Sequence, residues 1–229
     1  MKKHFVMILA AMMTAMSVSA QARFEKGTFT LQPRIGGTGS LFSNAPDLHN
    51  DGETIEPTAT GGSFIGVDLE YYVNEKVGVA AGLNYSEGGT GWDEYSFYNN
   101  GVKMNVKETA WKTQYINLPV TINWYVLKGF ALKAGIQFGY LVGAKDYSLA
   151  EFSTGGVDYK LTAEQGIRGD LNKFDVSLPI GLSYEFKLPI VLDFRYNIGL
   201  TNVNKHETAN GKDYNNLQAV LTIGYKFKL

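Results

Sequence analysis

Residues 190–202 read IVLDFRYNIGLTN, a stretch in which apolar and polar side chains alternate. Successive side chains of a β-strand point to opposite faces. Leu192, Phe194 and Tyr196 therefore share an apolar face, whereas Asp193 and Arg195 share a polar one. The fold depends on which of these faces points inward, because an apolar interior is typical of a soluble protein and an apolar exterior requires lipid.

The same alternation recurs along the chain. None of the apolar-face positions is charged or carries an amide. An eighth, less regular strand is expected over Gly27–Phe42, where Pro33 lies on the apolar face and cannot donate a ladder hydrogen bond. The six other regular segments are 65–73, 77–85, 116–126, 130–142, 174–186 and 217–227.

The connections between these segments alternate in length. Short turns are expected at 74–76, 127–129 and 187–189, and long polar loops at 43–60, 88–110, 146–172 and 203–215. Short turns on one side and long loops on the other are typical of outer-membrane β-barrels. The pattern predicts an all-β fold, an eight-stranded antiparallel up-and-down transmembrane β-barrel with short periplasmic turns and long extracellular loops. An even strand count places the N- and C-termini together in the periplasm.

Side-chain volume favours lipid outside the barrel. The interior of an eight-stranded barrel is only just wide enough to be filled by side chains or to hold one small ligand. The large apolar set would overfill it, whereas the opposite set is rich in Gly, Ser, Thr and Asn and fits. A soluble lipocalin-like carrier remains the alternative for the fold.

The N-terminus predicts export. Lys2 and Lys3 precede an apolar stretch and the small residues Ser19 and Ala20, as in a signal peptide at residues 1–20, with cleavage after Ala20 or Ala22. The remaining residues, 21–229, form one predicted domain with 19 basic and 22 acidic residues, a net charge near −3. This charge gives no reason to expect a nucleic-acid partner. The absence of cysteine excludes disulfides and thiolate chemistry.

Charged side chains on the polar face predict an ionic network in the lumen. A buried charge without a partner costs several kcal/mol, so these groups are expected to pair and to plug the bore. Aromatic residues at the strand ends predict two girdles at the membrane surfaces. The network residues are Glu70, Lys133, Glu185, Asp193, Arg195 and Lys226; the girdle candidates include Tyr71, Tyr72, Trp124, Tyr125, Tyr184, Phe186, Tyr225 and Phe227 at one end and Trp92, Trp111, Tyr115 and Tyr147 at the other.

The long loops carry the candidate contact residues. Trp92, Tyr95, Phe97 and Tyr98 form a candidate patch for a partner, with a role in capping the barrel as the alternative. The loop NAPDLHNDGETIEP at 44–57 has four acidic residues whose oxygens suit Ca²⁺ or Mg²⁺, but its spacing is not that of an EF-hand, and a hydrated loop is the simpler interpretation. No cofactor, metal site or catalytic residue is assigned; the adjacent His206 and Glu207 are the closest approach to a general-base pair.

Taken in order, several motifs resemble the PorT-like family of outer-membrane β-barrels. They are YINLPVTINWY at 115–125, KAGIQFGYLVGAK at 133–145, FDVSLPIGLSYEF at 174–186, DFRYNIGLTN at 193–202 and LTIGYKFKL at 221–229. The resemblance implies a small eight-stranded barrel of a Gram-negative outer membrane and assigns no activity. The chain departs from the usual aromatic C-terminus by ending in Leu229.

These observations lead to one functional hypothesis with three alternatives. The hypothesis is a structural or interaction barrel with a plugged lumen. Its expected partners are outer-membrane lipid and lipopolysaccharide, the envelope insertion machinery during biogenesis, and a protein partner that the sequence does not identify. The alternatives are a narrow pore or small-solute binder, a lipid A-modifying enzyme and the soluble lipocalin-like carrier.

Overall fold

The computed structural model describes residues 25–50, 52–206 and 211–229. The predicted signal peptide and both of its possible cleavage sites lie outside these residues. The described part is built from β-strands, and it contains no helix long and apolar enough to cross a membrane. Eight strands form the barrel: β1 Phe29–Phe42, β2 Pro57–Asn74, β3 Val77–Trp92, β4 Val102–Leu127, β5 Phe130–Thr154, β6 Phe174–Glu185, β7 Ile190–Asn202 and β8 Asn215–Tyr225.

The strands close into a barrel because the first pairs with the last. Each strand is antiparallel to its neighbours in the chain, from β1–β2 to β7–β8. β1 also pairs antiparallel with β8, in a register that places Arg34 opposite Gly224 and Phe42 opposite Asn216. The predicted eight-stranded antiparallel barrel is confirmed.

One end of the barrel carries the short turns. Residues 75–76, 128–129 and 186–189 connect strands there, and Phe227–Lys228 pairs with the first residues of β1 at the same end. The start and the end of the described chain therefore lie together at what we call the short-turn end. The opposite end, which carries the longer connections, is called the loop end.

The connections expected as long polar loops at 88–110 and 146–172 consist largely of β-strand in the structure. β4 and β5 have 26 and 25 residues and continue past the barrel wall. Tyr95–Asn99 pairs with the start of β4, and Val157–Gly166 pairs with the end of β5. These four strands form a sheet that we call the ribbon. Its outer strand Val157–Gly166 alternates apolar and polar residues, so the sequence contained a signal for this strand that the prediction of a loop did not use.

The two faces of the barrel differ as the volume argument predicts. Large apolar side chains on the outside are exposed, with Ile65 at 58%, Ile122 at 58% and Leu221 at 54%. The inward face is buried and polar. Glycines let neighbouring strands approach closely: a Cβ at Gly135 would overlap the backbone carbonyl of Val120. The inward polar residues include Thr30, Gln32, Thr38, Ser40, Asn84, Ser86, Asn117, Thr121, Gln137, Ser177, Asn197, Gln218 and Thr222.

Exposed aromatic rings surround the short-turn end. Trp124 on β4 is 54% exposed, and the ring pairs Phe29–Tyr71 and Tyr225–Phe227 have centroid distances of 4.9 and 4.5 Å. Such rings favour the membrane–water boundary. Tyr72 and Tyr125, which the sequence assigned to this girdle, point inward instead.

Candidate functional site

Five charged side chains meet in the lumen and form what we call the central cluster: Arg34 of β1, Asp68 of β2, Lys133 of β5, and Asp193 and Arg195 of β7. Each is at most 6% exposed. The register brings Lys133 and Arg195 to opposite sides of Gly181, whose missing side chain leaves room for both. A Cβ at Gly181 would lie 3.1 Å from Cγ of Arg195.

The two carboxylates hold the central cluster together. Asp193 accepts hydrogen bonds from Arg195 Nε at 2.9 Å, from Arg34 Nη1 at 3.4 Å and from the ammonium of Lys133. Asp68 accepts from Arg34 Nη2 at 3.2 Å and from Arg195 Nη2 at 2.5 Å. These contacts join four strands across the bore, from β1 and β2 to β5 and β7.

A second group, the basal cluster, lies closer to the short-turn end. Nζ of Lys226 lies 3.1 Å from Glu70, 3.4 Å from Glu185 and 3.0 Å from the hydroxyls of both Tyr72 and Tyr125. The two hydroxyls are themselves 2.8 Å apart. Asn123 Nδ2 donates to Glu70 Oε1 at 2.7 Å.

The formal charges of the two clusters balance. The central cluster has three cations and two carboxylates, and the basal cluster has one cation and two carboxylates. Together they contain four of each sign. Buried ions are tolerated only when such compensation is present.

The structure divides the six predicted network residues between the clusters. Lys133, Asp193 and Arg195 lie in the central cluster, and Glu70, Glu185 and Lys226 lie in the basal one. Four members were missing from the prediction: Arg34, Asp68, Tyr72 and Tyr125. The two tyrosines are 2% and 8% exposed, because each follows a lipid-facing aromatic and must point to the opposite face.

Gly82 provides a test of how tightly the central cluster is packed. It lies opposite Asp68 on the neighbouring strand, and a Cβ there would overlap Oδ1 of Asp68 and lie 3.1 Å from Cγ of Pro119. We expect Gly82→Ala to lower the free energy of unfolding by about 1–3 kcal/mol, because the carboxylate must move away from both arginines. Urea unfolding in phospholipid vesicles measures this change.

Gly39→Ala is the matched control for Gly82→Ala. A Cβ at Gly39 meets no atom within 4 Å, so this substitution should not destabilise the barrel. Equal stability of the two variants would mean that the central cluster tolerates displacement.

A cluster of buried apolar side chains, which we call the apolar cap, lies at the loop end of the barrel. Leu171 and Val203, from the third and fourth loop-end connections, pack with Phe42, Tyr115 and Leu141 of the barrel wall. Tyr115 is 3% exposed and Trp111 packs against the cap, so the assignment of both to the outer girdle was wrong. The remaining members of the cap are Ala45 and Tyr214.

Neutral polar side chains line the lumen between the cap and the central cluster and form what we call the neutral polar layer. They include Asn84, Asn117, Gln137, Ser177 and Asn197. Several buried atoms in or beside this layer, among them Tyr115 Oη and Asn197 Oδ1, have no protein hydrogen-bond partner. Buried polar groups of this kind are normally satisfied by ordered water. Asp175 accepts a hydrogen bond from Thr201 Oγ1 at 2.6 Å at the edge of this layer.

The predicted contact patch is only partly a surface. Trp92 is 5% exposed, donates its Nε1–H to the Pro46 carbonyl at 2.9 Å and packs edge-on against Trp111 at 5.1 Å. Its place in the patch was therefore wrong, because β3 continues to Trp92 and turns its side chain inward. Tyr95 and Phe97 stack at 6.4 Å, whereas Tyr98 is 70% exposed.

A shallow pocket lies beside Tyr95 and Phe97. Its remaining lining comes from the hairpin of Leu48–Asn50 and Glu53–Ile55, and Asn50 Nδ2 donates to the Ser96 carbonyl at 2.8 Å. This hairpin contains part of the acidic loop, of which Asp51 lies outside the described residues. In the described part of the chain, no group of three His, Cys, Asp or Glu side chains is arranged to hold a metal.

The structure describes two histidines, and both lie in connections at the loop end. His49 lines the shallow pocket, and His206 lies 3.8 Å from Asp170 with both side chains largely exposed. Glu207, the neighbour considered as its partner, lies outside the described residues.

One family model and several solved structures are similar to this chain. Residues 19–205 match the family described as Outer membrane protein beta-barrel domain. No curated protein matches the chain. Similar solved structures include OprG of Pseudomonas aeruginosa, with 10% identity, 91% of this chain and 99% of that chain covered and a TM-score of 0.44. The attachment invasion locus protein Ail of Yersinia pestis has 14% identity, with 88% of this chain and 99% of that chain covered and a TM-score of 0.42. Neisserial surface protein A has 14% identity, with 88% of this chain and 97% of that chain covered and a TM-score of 0.40.

Proposed function

Because this chain belongs to the outer membrane β-barrel domain family, we propose that it is a closed barrel whose role is to bind a partner at its loop end. In this proposal residues 1–20 are a signal peptide and 21–229 are the single mature domain. The short-turn end and both termini face the periplasm, and the loop end faces outward. Membership of the PorT-like subgroup is part of the proposal and rests on the motifs quoted above.

The closed lumen is supported chiefly by the central cluster. Its ion pairs run from β1 and β2 across to β5 and β7, so the bore is crossed by side chains that are bonded at both ends. The basal cluster lies below it and the apolar cap above it. A solute would have to break buried ion pairs to pass, and breaking such pairs costs several kcal/mol.

The interaction role is supported by the ribbon. It carries exposed apolar side chains that share one face, including Tyr159 at 45% and Leu161 at 54%, outside the part of the barrel that faces lipid. Exposed apolar groups that lie together mark binding surfaces more often than structural ones. Lipopolysaccharide and a protein are the proposed partner classes, and the insertion machinery acts during biogenesis. No catalytic step is included.

Planar-bilayer recording tests the closed lumen. We expect purified protein, shown to be folded by a heat-dependent shift in gel migration, to give no discrete current steps, because two clusters and a cap lie in series along the bore. A porin inserted under the same conditions is the positive control. Steady unitary currents from the wild-type chain would overturn the closed lumen and favour a narrow pore.

A small-solute binder is the second candidate. The observation that favours it is the neutral polar layer, where buried oxygens such as Tyr115 Oη and Asn197 Oδ1 lack protein partners. Water is sufficient to satisfy them, so this candidate ranks below the closed barrel.

A further inference from the structure

The ribbon ends in a β-strand with an open edge. Val157–Gly166 pairs with β5 on one side, from Val157 opposite Thr154 to Gly166 opposite Lys145. On its other side no strand pairs with it within the described residues. All ten of its residues are exposed. An edge of this length presents a row of unpaired backbone groups that can accept another strand.

One face of the ribbon is apolar up to this edge. The strand pairing aligns apolar side chains in two rows that cross the four strands of the ribbon. Each row ends on the open strand Val157–Gly166. Tyr159 is stacked on Phe152 at 5.2 Å and is still 45% exposed, and Leu161 is 54% exposed. The rows are Tyr95, Val106, Ala150, Leu161 and Phe97, Met104, Phe152, Tyr159.

The other face of the open strand is charged in a self-complementary order. Lys160 pairs with Glu151 of β5 at 2.7 Å, and Glu164 pairs with Lys145 of β5 at 2.9 Å. The hydrogen bond to Glu151 also raises the pKa of Lys160 above its ordinary value. The edge thus presents a cation and an anion four residues apart, each supported by an opposite charge on the strand behind it.

We propose that this edge pairs antiparallel with the same edge of a second copy of the chain, centred on Thr162. In this register Lys160 of each copy lies opposite Glu164 of the other, and Leu161 lies opposite Ala163. Acidic and basic side chains then alternate across four adjacent strands, two from each copy. The order is Glu151 and Lys160 of one copy, followed by Glu164 and Lys145 of the other. The apolar rows of the two ribbons lie on the same side and form one continuous face.

Neighbouring registers are less favourable. Centring the pairs on Leu161 places Asp158 opposite Glu164, and centring them on Lys160 places the two lysines opposite each other. Like charges directly opposite in a sheet are destabilising. Charge therefore selects the register in which both salt bridges form.

The antiparallel direction determines where the second copy lies. β4 and β5 each continue as a single strand from the barrel wall into the ribbon, with register shifts in their pairing at 106–108 and 114–115, and the proposal takes the edge strand to keep a component along the membrane normal. Two copies in the same membrane are related by a rotation about the membrane normal. Such a rotation leaves the direction of the edge strand along the normal unchanged, so the two edge strands cannot become antiparallel. The second copy therefore belongs to an opposing membrane, and the pairing connects two cells.

This inference rests on the proposed function, and a two-colour aggregation experiment tests it. Cells that display the full chain and carry either of two fluorescent proteins are mixed and scored by flow cytometry. We expect the wild type to give several-fold more two-colour aggregates than cells carrying the empty vector. Lys160→Glu and Glu164→Lys should each reduce this signal to the vector level, because each places like charges in opposition.

Mixing the two variants is the decisive arm. Lys160→Glu cells and Glu164→Lys cells present complementary edges to each other, so their mixture should recover wild-type aggregation. All samples are checked for a folded barrel by heat-dependent gel migration. Absence of wild-type aggregation, or failure of the mixture to recover, would overturn the pairing. Because bilayer recording does not depend on the ribbon edge, the closed barrel would stand in either case.

Discussion

Asp193→Ala should destabilise the barrel more than any other single substitution in the lumen. The change leaves Arg34, Lys133 and Arg195 with Asp68 as the only carboxylate of the central cluster. Removing one partner of a buried ion pair typically costs about 3–5 kcal/mol, because the remaining charge stays buried. Urea unfolding in phospholipid vesicles should show a loss of this size.

Two further variants separate the buried charge from the acidic side chain itself. Asp158→Ala removes an exposed aspartate of the ribbon and should change stability by less than about 0.5 kcal/mol. Adding Lys133→Met to Asp193→Ala removes one of the stranded cations and should recover part of the loss. A similar effect of Asp193→Ala and Asp158→Ala would show that the central cluster does not stabilise the barrel.

The barrel and the direction of its faces could be predicted from the sequence because both depend on a simple periodicity. Lipid requires apolar side chains outside, the narrow bore requires small or polar ones inside, and a strand alternates between the two. Asp193 and Arg195 of β7 were placed in the lumen on this basis. The limit is that periodicity gives the face of a side chain and not its partner.

Arg34 was missed because Pro33 interrupts the apparent pattern of β1. The proline lies on the outward face opposite Val67, where its ring replaces a lipid-facing side chain. Gln32 and Arg34 flank it on the inward face and are 4% and 2% exposed. These polar neighbours were a usable signal. Without Arg34, Asp68 was recognised as polar but could not be assigned to an ion pair.

The tyrosines and Trp92 were misplaced for different reasons. Tyr71–Tyr72 and Trp124–Tyr125 are adjacent pairs, and adjacent residues of a strand cannot share a face, so the sequence contained the information to place one of each pair inside. Trp92 follows a glycine-rich stretch that suggests a loop. Its burial depends on β3 continuing to residue 92, and long-range pairing with β4 decides that.

The ribbon was not predicted, although its outer strand alternates apolar and polar residues. Residues 157–166 do alternate, with Val157, Tyr159, Leu161 and Ala163 on one face, but the stretch is short and its other face is charged, so it was assigned to a polar loop. Their pairing with each other depends on the hairpin at Gly155 and Gly156, both with positive φ. Polar sequence indicates contact with water and is compatible with either a loop or a strand.

Leu221→Arg should show directly that the apolar face meets lipid. Leu221 lies in the middle of the outward face of β8 and is 54% exposed. Arginine on the lipid face near the bilayer midplane costs about 2–4 kcal/mol. We expect a loss of this size in the free energy of unfolding measured in phospholipid vesicles.

Leu161→Arg is the matched control, because Leu161 is also a strand leucine with 54% exposure but lies on the ribbon. An arginine there meets water, so its effect should stay within about 0.5 kcal/mol. The two variants change the same residue type at the same exposure and differ only in the surrounding solvent. Equal effects at the two positions would mean that Leu221 also faces water. The outward apolar face of the barrel would then have to be buried by something other than lipid.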